Sequence, residues 1–157
     1  MEYRQILVAI DRTSTNSEIL EDALDLAQNQ GARMMLFYCI QEQTVAKKED
    51  RIATLAELVE ADSLIGFERQ EQVELGHARA WLESLTGLAE ERGIVAVAQL
   101  ERGEPGKRIC DLASRWGADL VVLGESSRGV LAECILGSVT SHVLHHAPCS
   151  VLLVKKK

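Results

Sequence analysis

The sequence predicts an α/β fold, in which a doubly wound, five-stranded parallel sheet is flanked by helices on both faces. Three observations lead to this fold class. Five short apolar runs recur along the 157 residues, segments with helical spacing separate them, and a glycine repeatedly stands between a helix and the next strand. Alternation of this kind is typical of a parallel sheet with right-handed crossovers.

The five apolar runs predict strands that are buried on both faces, because helices cover both sides of a parallel sheet. In chain order they are ILVAI from Ile6, MMLFYCI from Met34, VAVAQL from Val95, LVVL from Leu120 and VLLV from Val151. Each run is assigned to one strand of the sheet.

Amphipathic helices are expected between the strands, since apolar residues recur there at the spacing i, i+3, i+4 and i+7. The apolar stripes are Ile19, Ala23, Leu26 and Ala27, then Ala78, Trp81, Leu82, Leu85 and Ala89, then Ile109, Leu112, Ala113 and Trp116. Thr15 and Glu18 are expected to form a capping box at the start of the first helix. Gly31, Gly93 and Gly117 each follow a helix, where a left-handed residue is needed.

The chain has the length of one domain, and we predict a single domain over residues 1–157. The least regular stretch runs from Gln41 to His77. We interpret it as a helical insertion, in which DRIATLAELVEADSL forms a helix that breaks near Gly66 before the helix carrying Trp81 begins. Trp81 and Trp116 lie on apolar stripes and are interpreted as core residues.

Composition excludes several classes of function. A net charge of -7 disfavours binding to nucleic acid or to an anionic membrane, since both need clustered Lys and Arg. No apolar stretch approaches the roughly 20 residues that span a bilayer, and MEYRQILVAID does not resemble a signal peptide. Cys39, Cys110, Cys134 and Cys149 form no CxxC pair and are interpreted as reduced thiols. We therefore expect a cytoplasmic protein.

A ligand is expected where the strands end. In an open parallel sheet, ligands bind beyond the carboxyl ends of the strands, where the strand order reverses. Asp11, Ile40, Gly103 and Gly124 follow the first four strands. The loop GESSRGVLAECILGS, from Gly124 to Ser138, therefore lies on the expected ligand side, either as a phosphate cradle or only as a turn.

Other motifs are weaker. GEPGKR lacks the first glycine and the final Ser or Thr of a Walker A loop, so it is not interpreted as a P-loop. His142, His145, His146 and Cys149 could form a metal cluster, but a helix end that favours cationic histidine is the simpler interpretation. Neither a Ser-His-Asp nor a Cys-His catalytic arrangement can be argued from spacing alone.

Three segments together resemble the universal stress protein family. They are ILVAID at the start, GEPGKRICDLASRWGADLVVLG in the third quarter and LGSVTSHVLHHAPCSVLLV at the end. Nucleotide-binding members of that family carry the motif G-x2-G-x9-G-S/T after the fourth strand. Here Gly124, Ser127, Gly137 and Ser138 occupy its positions, so the motif is imperfect only at Ser127.

The resemblance implies a small cytosolic protein that binds ATP, ADP or AMP, in which Mg²⁺ can bind together with the phosphates. It also implies a role in stress responses without established catalysis. It implies that Asp11 contacts ribose or adenine, and that Ile40 and Leu123 lie near the base. By the same resemblance, Gly124, Gly137 and Ser138 hold the phosphates. Glycines admit a close approach of oxygen atoms, Ser138 donates hydrogen bonds, and a following helix offers its positive end.

Two departures from the motif act against a triphosphate. Ser127 adds a Cβ where the backbone φ of a glycine is expected to be positive, and Glu125 adds a carboxylate to the loop. Arg12 and Arg128 could offset the charge of Glu125, or Glu125 could point to solvent. The alternatives are a dimeric interaction module that has lost nucleotide binding, and a slow ATPase whose only candidate bases are Glu125 and Asp11.

A homodimer is expected through the last strand, from Ser150 to Val154. An exposed edge with the sequence VLLV would otherwise invite aggregation. The sequence does not identify a protein partner.

The candidate site residues also have a purely structural interpretation. In it, Gly124 forms a turn, Gly137 forms a bend, and Ser138 and Asp11 cap helices.

Overall fold

The computed structural model describes residues 1–12, 16–41, 62–125 and 137–155. Strands and helices alternate along these residues, as the apolar runs and helical stripes predict. The elements are β1 (Gln5–Ile10), α1 (Asn16–Gln30), β2 (Arg33–Ile40), α2 (Asp62–Glu91), β3 (Ala96–Arg102), α3 (Pro105–Trp116), β4 (Leu120–Gly124), α4 (Ser138–His146) and β5 (Ser150–Val154).

The five strands form one parallel sheet in the order β3-β2-β1-β4-β5. This confirms the predicted fold class. β1 lies in the middle, where Ile6 is opposite Met34 of β2 and Leu120 of β4. The chain builds outward from β1 to β3 and then returns to β4 on the other side, so the strand order reverses between β1 and β4. Ligand sites of open α/β sheets lie at such a reversal.

Two apolar layers, one on each face of the sheet, make up the core. Ile6, Val8 and Ile10 of β1 face the layer that α1 and α2 cover. Leu7 faces the opposite layer, together with Ile109 of α3 and Val143 of α4. Successive side chains of a strand point to opposite faces, and for this reason an unbroken apolar run supplies both layers.

The glycines that follow the first three helices adopt the left-handed conformation, as predicted. The φ angles are 64° at Gly31, 75° at Gly93 and 74° at Gly117. After α2, the Gly93 N–H donates to the Glu90 carbonyl at 2.9 Å and the Ile94 N–H donates to the Ala89 carbonyl at 3.0 Å. These bonds satisfy carbonyls that the end of the helix leaves open, and they turn the chain toward β3.

We expect Gly93→Ala to lower the free energy of unfolding by roughly 1–2 kcal/mol, because an L-residue is strained at this φ. No atom lies within 4 Å of the added Cβ, so the cost is conformational and not steric. Gly87→Ala is the matched control, since Gly87 lies inside α2 with equally open space and alanine should stabilise it by about 0.5–1 kcal/mol. Urea unfolding measures the free energy of unfolding of both variants. Equal effects of the two substitutions would contradict the left-handed conformation of Gly93.

The predicted break near Gly66 is wrong, because α2 runs without interruption from Asp62 to Glu91. A glycine inside a helix costs only about 1 kcal/mol relative to alanine, which the packing of a long helix can absorb. Residues 42–61 lie outside the described residues, and with them most of the predicted helix DRIATLAELVEADSL. Thr15 of the predicted capping box also lies outside them.

The expectation that every strand is buried on both faces is wrong for the two edges of the sheet. Val97 of β3 is 40% exposed and Leu152 of β5 is 38% exposed. An edge strand has a neighbour on one side only, so the flanking helices cover it less completely. The apolar runs alone could not reveal which strands lie at an edge.

Trp81 packs against the core as predicted, with its ring edge-to-face on Tyr38 at 5.6 Å between centroids. Trp116 packs against the opposite layer. Within the described residues, the helices lack the combination of length and apolar character that crossing a bilayer would require.

Candidate functional site

A cavity of about 510 Å³ opens at the carboxyl edge of the sheet, over the reversal between β1 and β4. Cavities of this size accommodate small organic ligands. Six of the seven predicted site residues line it, namely Asp11, Ile40, Leu123, Gly124, Gly137 and Ser138. Four separate parts of the fold bring them together. Ser127 and the rest of residues 126–136 lie outside the described residues.

Sequence reasoning missed several lining residues, among them Tyr38 on β2, Pro105 and Ile109 on α3, and Thr140 on α4. Thr140 is only 3% exposed, the sole polar side chain among the described residues that is classed as buried. A polar residue on the inner side of the α4 N-terminus was the available signal. Pro105 and Ile109 carry no such signal, since they join the cavity only because α3 packs beside α4.

Gly124 has a packing role that the sequence did not suggest. A Cβ at this position would come within 2.1 Å of Cδ1 and 3.1 Å of Cγ1 of Ile19, which is buried on α1. The absence of a side chain therefore lets α1 close over the end of β4. The backbone of Gly124 is not left-handed, so conformational freedom is not the reason for this glycine.

Gly137 is the residue before the first turn of α4. Its φ of -57° and ψ of 157° are open to any residue, and it provides no side-chain cap for the helix. The first backbone N–H groups of a helix have no partner inside the helix. At α4 these groups lie beside Ser138 and Thr140 at the cavity, where an anion can accept hydrogen bonds from them.

The N-terminus of α3 differs in this respect, although Pro105 also lines the cavity. The Glu104 carboxylate accepts hydrogen bonds from the Gly106 N–H at 3.1 Å and from the Lys107 N–H at 2.9 Å. Glu104 thus occupies the N–H groups that a phosphate would need. This agrees with the interpretation that GEPGKR is not a phosphate loop.

Charged groups gather at the mouth of the cavity, where Asp11, Arg12 and Glu125 line it. The backbone N–H of Glu125 donates to the Val154 carbonyl at 2.9 Å, which ties this residue to β5. Burial raises the pKa of Tyr38, nearby Arg12 lowers it, and Asp11 adds a smaller upward effect. The net increase leaves the Tyr38 hydroxyl neutral and able to donate a hydrogen bond at neutral pH.

Cys39, Cys110 and Cys149 form no disulfide with one another. Cys39 lines the cavity, and its Sγ lies 3.6 Å from the Gly103 carbonyl oxygen, within reach of a weak S–H hydrogen bond. Burial raises the pKa values of Cys110 and Cys149, which keeps both protonated and unreactive at neutral pH. Cys134 lies outside the described residues.

Three histidines lie along α4. The His145 Nδ1–H donates to the Ser141 carbonyl and the His146 Nδ1–H donates to the His142 carbonyl, both at 2.8 Å, and the His142 and His146 rings stack at 4.2 Å. Nowhere in the described part of the chain are three His, Cys, Asp or Glu side chains grouped so that they could hold a metal ion. These contacts fit the interpretation of a helix end.

Comparison with known proteins gives one consistent result. The model of the universal stress protein family matches residues 2–155. The universal stress protein Sll1388 of Synechocystis is 38% identical over 162 aligned residues, which cover 99% of each chain.

Solved structures share the fold. The universal stress protein UspA from Lactobacillus plantarum superimposes with a TM-score of 0.76 at 21% identity, covering 98% of this chain and 99% of its own. A universal stress protein in complex with cAMP gives 0.64 at 18% identity, covering 98% of both chains. The Archaeoglobus fulgidus protein in complex with dAMP gives 0.61 at 20% identity, covering 99% of this chain and 100% of its own.

Proposed function

This chain belongs to the universal stress protein family, and from that premise we propose that it binds or senses an adenine nucleotide as a homodimer. In this proposal the protein is not primarily an enzyme. The observation that carries the proposal is the convergence of Asp11, Ile40, Leu123, Gly124, Gly137 and Ser138 on one cavity at the strand-order reversal.

The cavity has the chemistry that a nucleotide needs. Ile40 and Leu123 offer apolar contacts for a flat base, and the Asp11 carboxylate can accept hydrogen bonds from ribose hydroxyls. The uncapped first turn of α4, with the Ser138 hydroxyl, can donate to a phosphate. Mg²⁺ would accompany a di- or triphosphate, and Asp11 and Glu125 are the carboxylates among the described lining residues that would hold it.

Two structural neighbours were solved with cAMP and dAMP, which share the adenine and one phosphate. At identities of 18% and 20%, the likeness shows a shared fold but not a shared ligand. They support the choice of adenine nucleotides as the first ligands to test.

The test is calorimetric titration of the protein with AMP, ADP and ATP, together with mass spectrometry of protein purified without added nucleotide. We expect at least one adenine nucleotide to bind saturably to the folded protein. The same nucleotide should not bind to heat-unfolded protein. Failure of all three nucleotides to bind at millimolar concentration would overturn the proposal.

One observation favours the alternative of an interaction module without a nucleotide. Glu125 lines the cavity, and its carboxylate would repel a phosphate chain bound there. That module would keep the dimer and bind a protein partner, so loss of nucleotide binding with the dimer retained distinguishes it. We place either form in the cytoplasm, where thiols such as those of Cys110 and Cys149 stay reduced.

The proposed dimer uses β5, which forms one edge of the sheet. Its outer backbone groups have no neighbouring strand among the described residues, and Leu152 is exposed there. Pairing with a second copy would satisfy the backbone and cover the apolar side chain.

We expect Leu152→Lys to weaken the dimer at least tenfold, because a buried ammonium would face the partner without a counter-charge. Val97→Lys is the matched control, since Val97 is similarly exposed at the opposite edge. Light scattering at micromolar concentration measures both. A dimer that survives Leu152→Lys, or that only Val97→Lys dissociates, would move the interface away from β5.

A further inference from the structure

The charge balance at the cavity mouth depends on Arg12. It is the single cationic side chain among the described residues that line the cavity, and the carboxylates of Asp11 and Glu125 share the mouth with it. A phosphate that enters meets like charge from both carboxylates. A cation at this point is therefore needed if the cavity is to accept an anionic ligand.

The fold brings Arg12 to the cavity at the end of the central strand. Arg12 follows β1, the central strand, between Tyr38 on β2 and Gly124 on β4, which also line the cavity. The guanidinium lies close enough to the Tyr38 phenol to lower its pKa. Trp81 holds the Tyr38 ring edge-to-face at 5.6 Å, so one wall of the mouth beside Arg12 is fixed by the core.

Arg12 is available to a ligand. Some arginines elsewhere in the described residues are paired with carboxylates, namely Arg92 with Glu21 and Asp25, Arg102 with Glu71, and Arg115 with Glu101. Within the described ranges, no carboxylate lies within ion-pair distance of the exposed Arg12 guanidinium. It can turn toward a ligand without breaking an ion pair. The planar fork of guanidinium N–H groups matches phosphate oxygens better than any other side chain does.

We propose that Arg12 is the specificity residue by which the cavity prefers a phosphorylated nucleoside to the same nucleoside without its phosphate. This inference rests on the proposed function and deepens it. Arg12 donates charge-assisted hydrogen bonds to the phosphate and offsets the two carboxylates. The base and ribose depend on other residues, so Arg12 contributes little to the binding of an uncharged nucleoside.

The experiment compares AMP with adenosine by calorimetric titration of the wild-type protein and three variants. Arg12→Gln should weaken AMP about tenfold or more and change adenosine by less than twofold. Arg12→Lys should recover part of the AMP affinity, because it keeps the charge but not the fork. Arg108→Gln is the matched control, since it removes the same charge from α3 outside the cavity lining and should leave both affinities unchanged.

Three outcomes overturn the inference while leaving the proposed function intact: AMP and adenosine weaken together in Arg12→Gln, Arg108→Gln weakens AMP as much as Arg12→Gln does, or the wild-type protein binds AMP no more tightly than adenosine. If the wild-type protein binds neither ligand, the proposed function fails and this inference fails with it. Thermal unfolding of each variant confirms that the fold is retained.

Discussion

Gly137→Val is expected to lower the affinity for AMP about a hundredfold or more. A β-branched side chain at this position stands before the uncapped first turn of α4, where the proposed phosphate accepts hydrogen bonds. Each charge-assisted hydrogen bond that is lost costs about 1.5–3 kcal/mol, and 1.4 kcal/mol is a factor of ten in affinity. Calorimetric titration with AMP measures the effect.

Gly87→Val is the matched control for this prediction. Gly87 lies near the end of α2, which leads into the amino end of β3, whereas the cavity lies at the carboxyl ends of the strands. The space around Gly87 is open. It receives the same side chain and should keep full AMP affinity. AMP binding that survives Gly137→Val unchanged would mean that the phosphate does not bind at the start of α4.

The double change Glu125→Ser with Ser127→Gly is expected to raise ATP affinity about a hundredfold. Ser127→Gly restores the second glycine of the motif G-x2-G-x9-G-S/T, and Glu125→Ser removes a carboxylate from the loop. Removing the Glu125 carboxylate relieves about 1 kcal/mol of repulsion at ~4 Å in well-solvated surroundings, and more where water is excluded. Glycine at position 127 relieves roughly 1–2 kcal/mol if nucleotide binding requires a left-handed residue there.

Two further measurements separate these contributions. Glu125→Ser alone should gain ATP affinity that shrinks as salt is raised, since screening weakens a charge effect, whereas Ser127→Gly alone should gain affinity that salt does not change. AMP should gain less than ATP in every variant, because it brings fewer charges to the loop. Equal ATP affinity in the wild-type and double-variant proteins would show that neither residue faces the phosphates.

Much of the fold could be predicted because its determinants are local. The strand at Ile6 and the left-handed turn at Gly93 each depend on a few neighbouring residues, which the sequence shows directly. The break predicted near Gly66 failed for a related reason. The propensity of one glycine is local, but the packing that overrides it along a 30-residue helix is not.

The candidate site was predicted in part. Strand ends and a family motif located Asp11, Gly124 and Gly137, and all three line the cavity. Pro105 and Ile109 were missed because they reach the cavity through the packing of α3 against α4. Contacts between distant elements leave no regular spacing in the sequence.

The sequence by itself determined the order of strands and helices, the parallel sheet and the edge at which a ligand is expected, since hydrophobic periodicity and glycine conformation act over a few residues. Only the tertiary structure decided which strands form the sheet edges and that Ile19 packs against Gly124. It also decided that Glu104 caps the start of α3 while Gly137 gives α4 no side-chain cap, and that Arg12 lines one cavity with Asp11 and Glu125. Each of these depends on groups far apart in the chain, which meet only when the two apolar layers pack on the sheet.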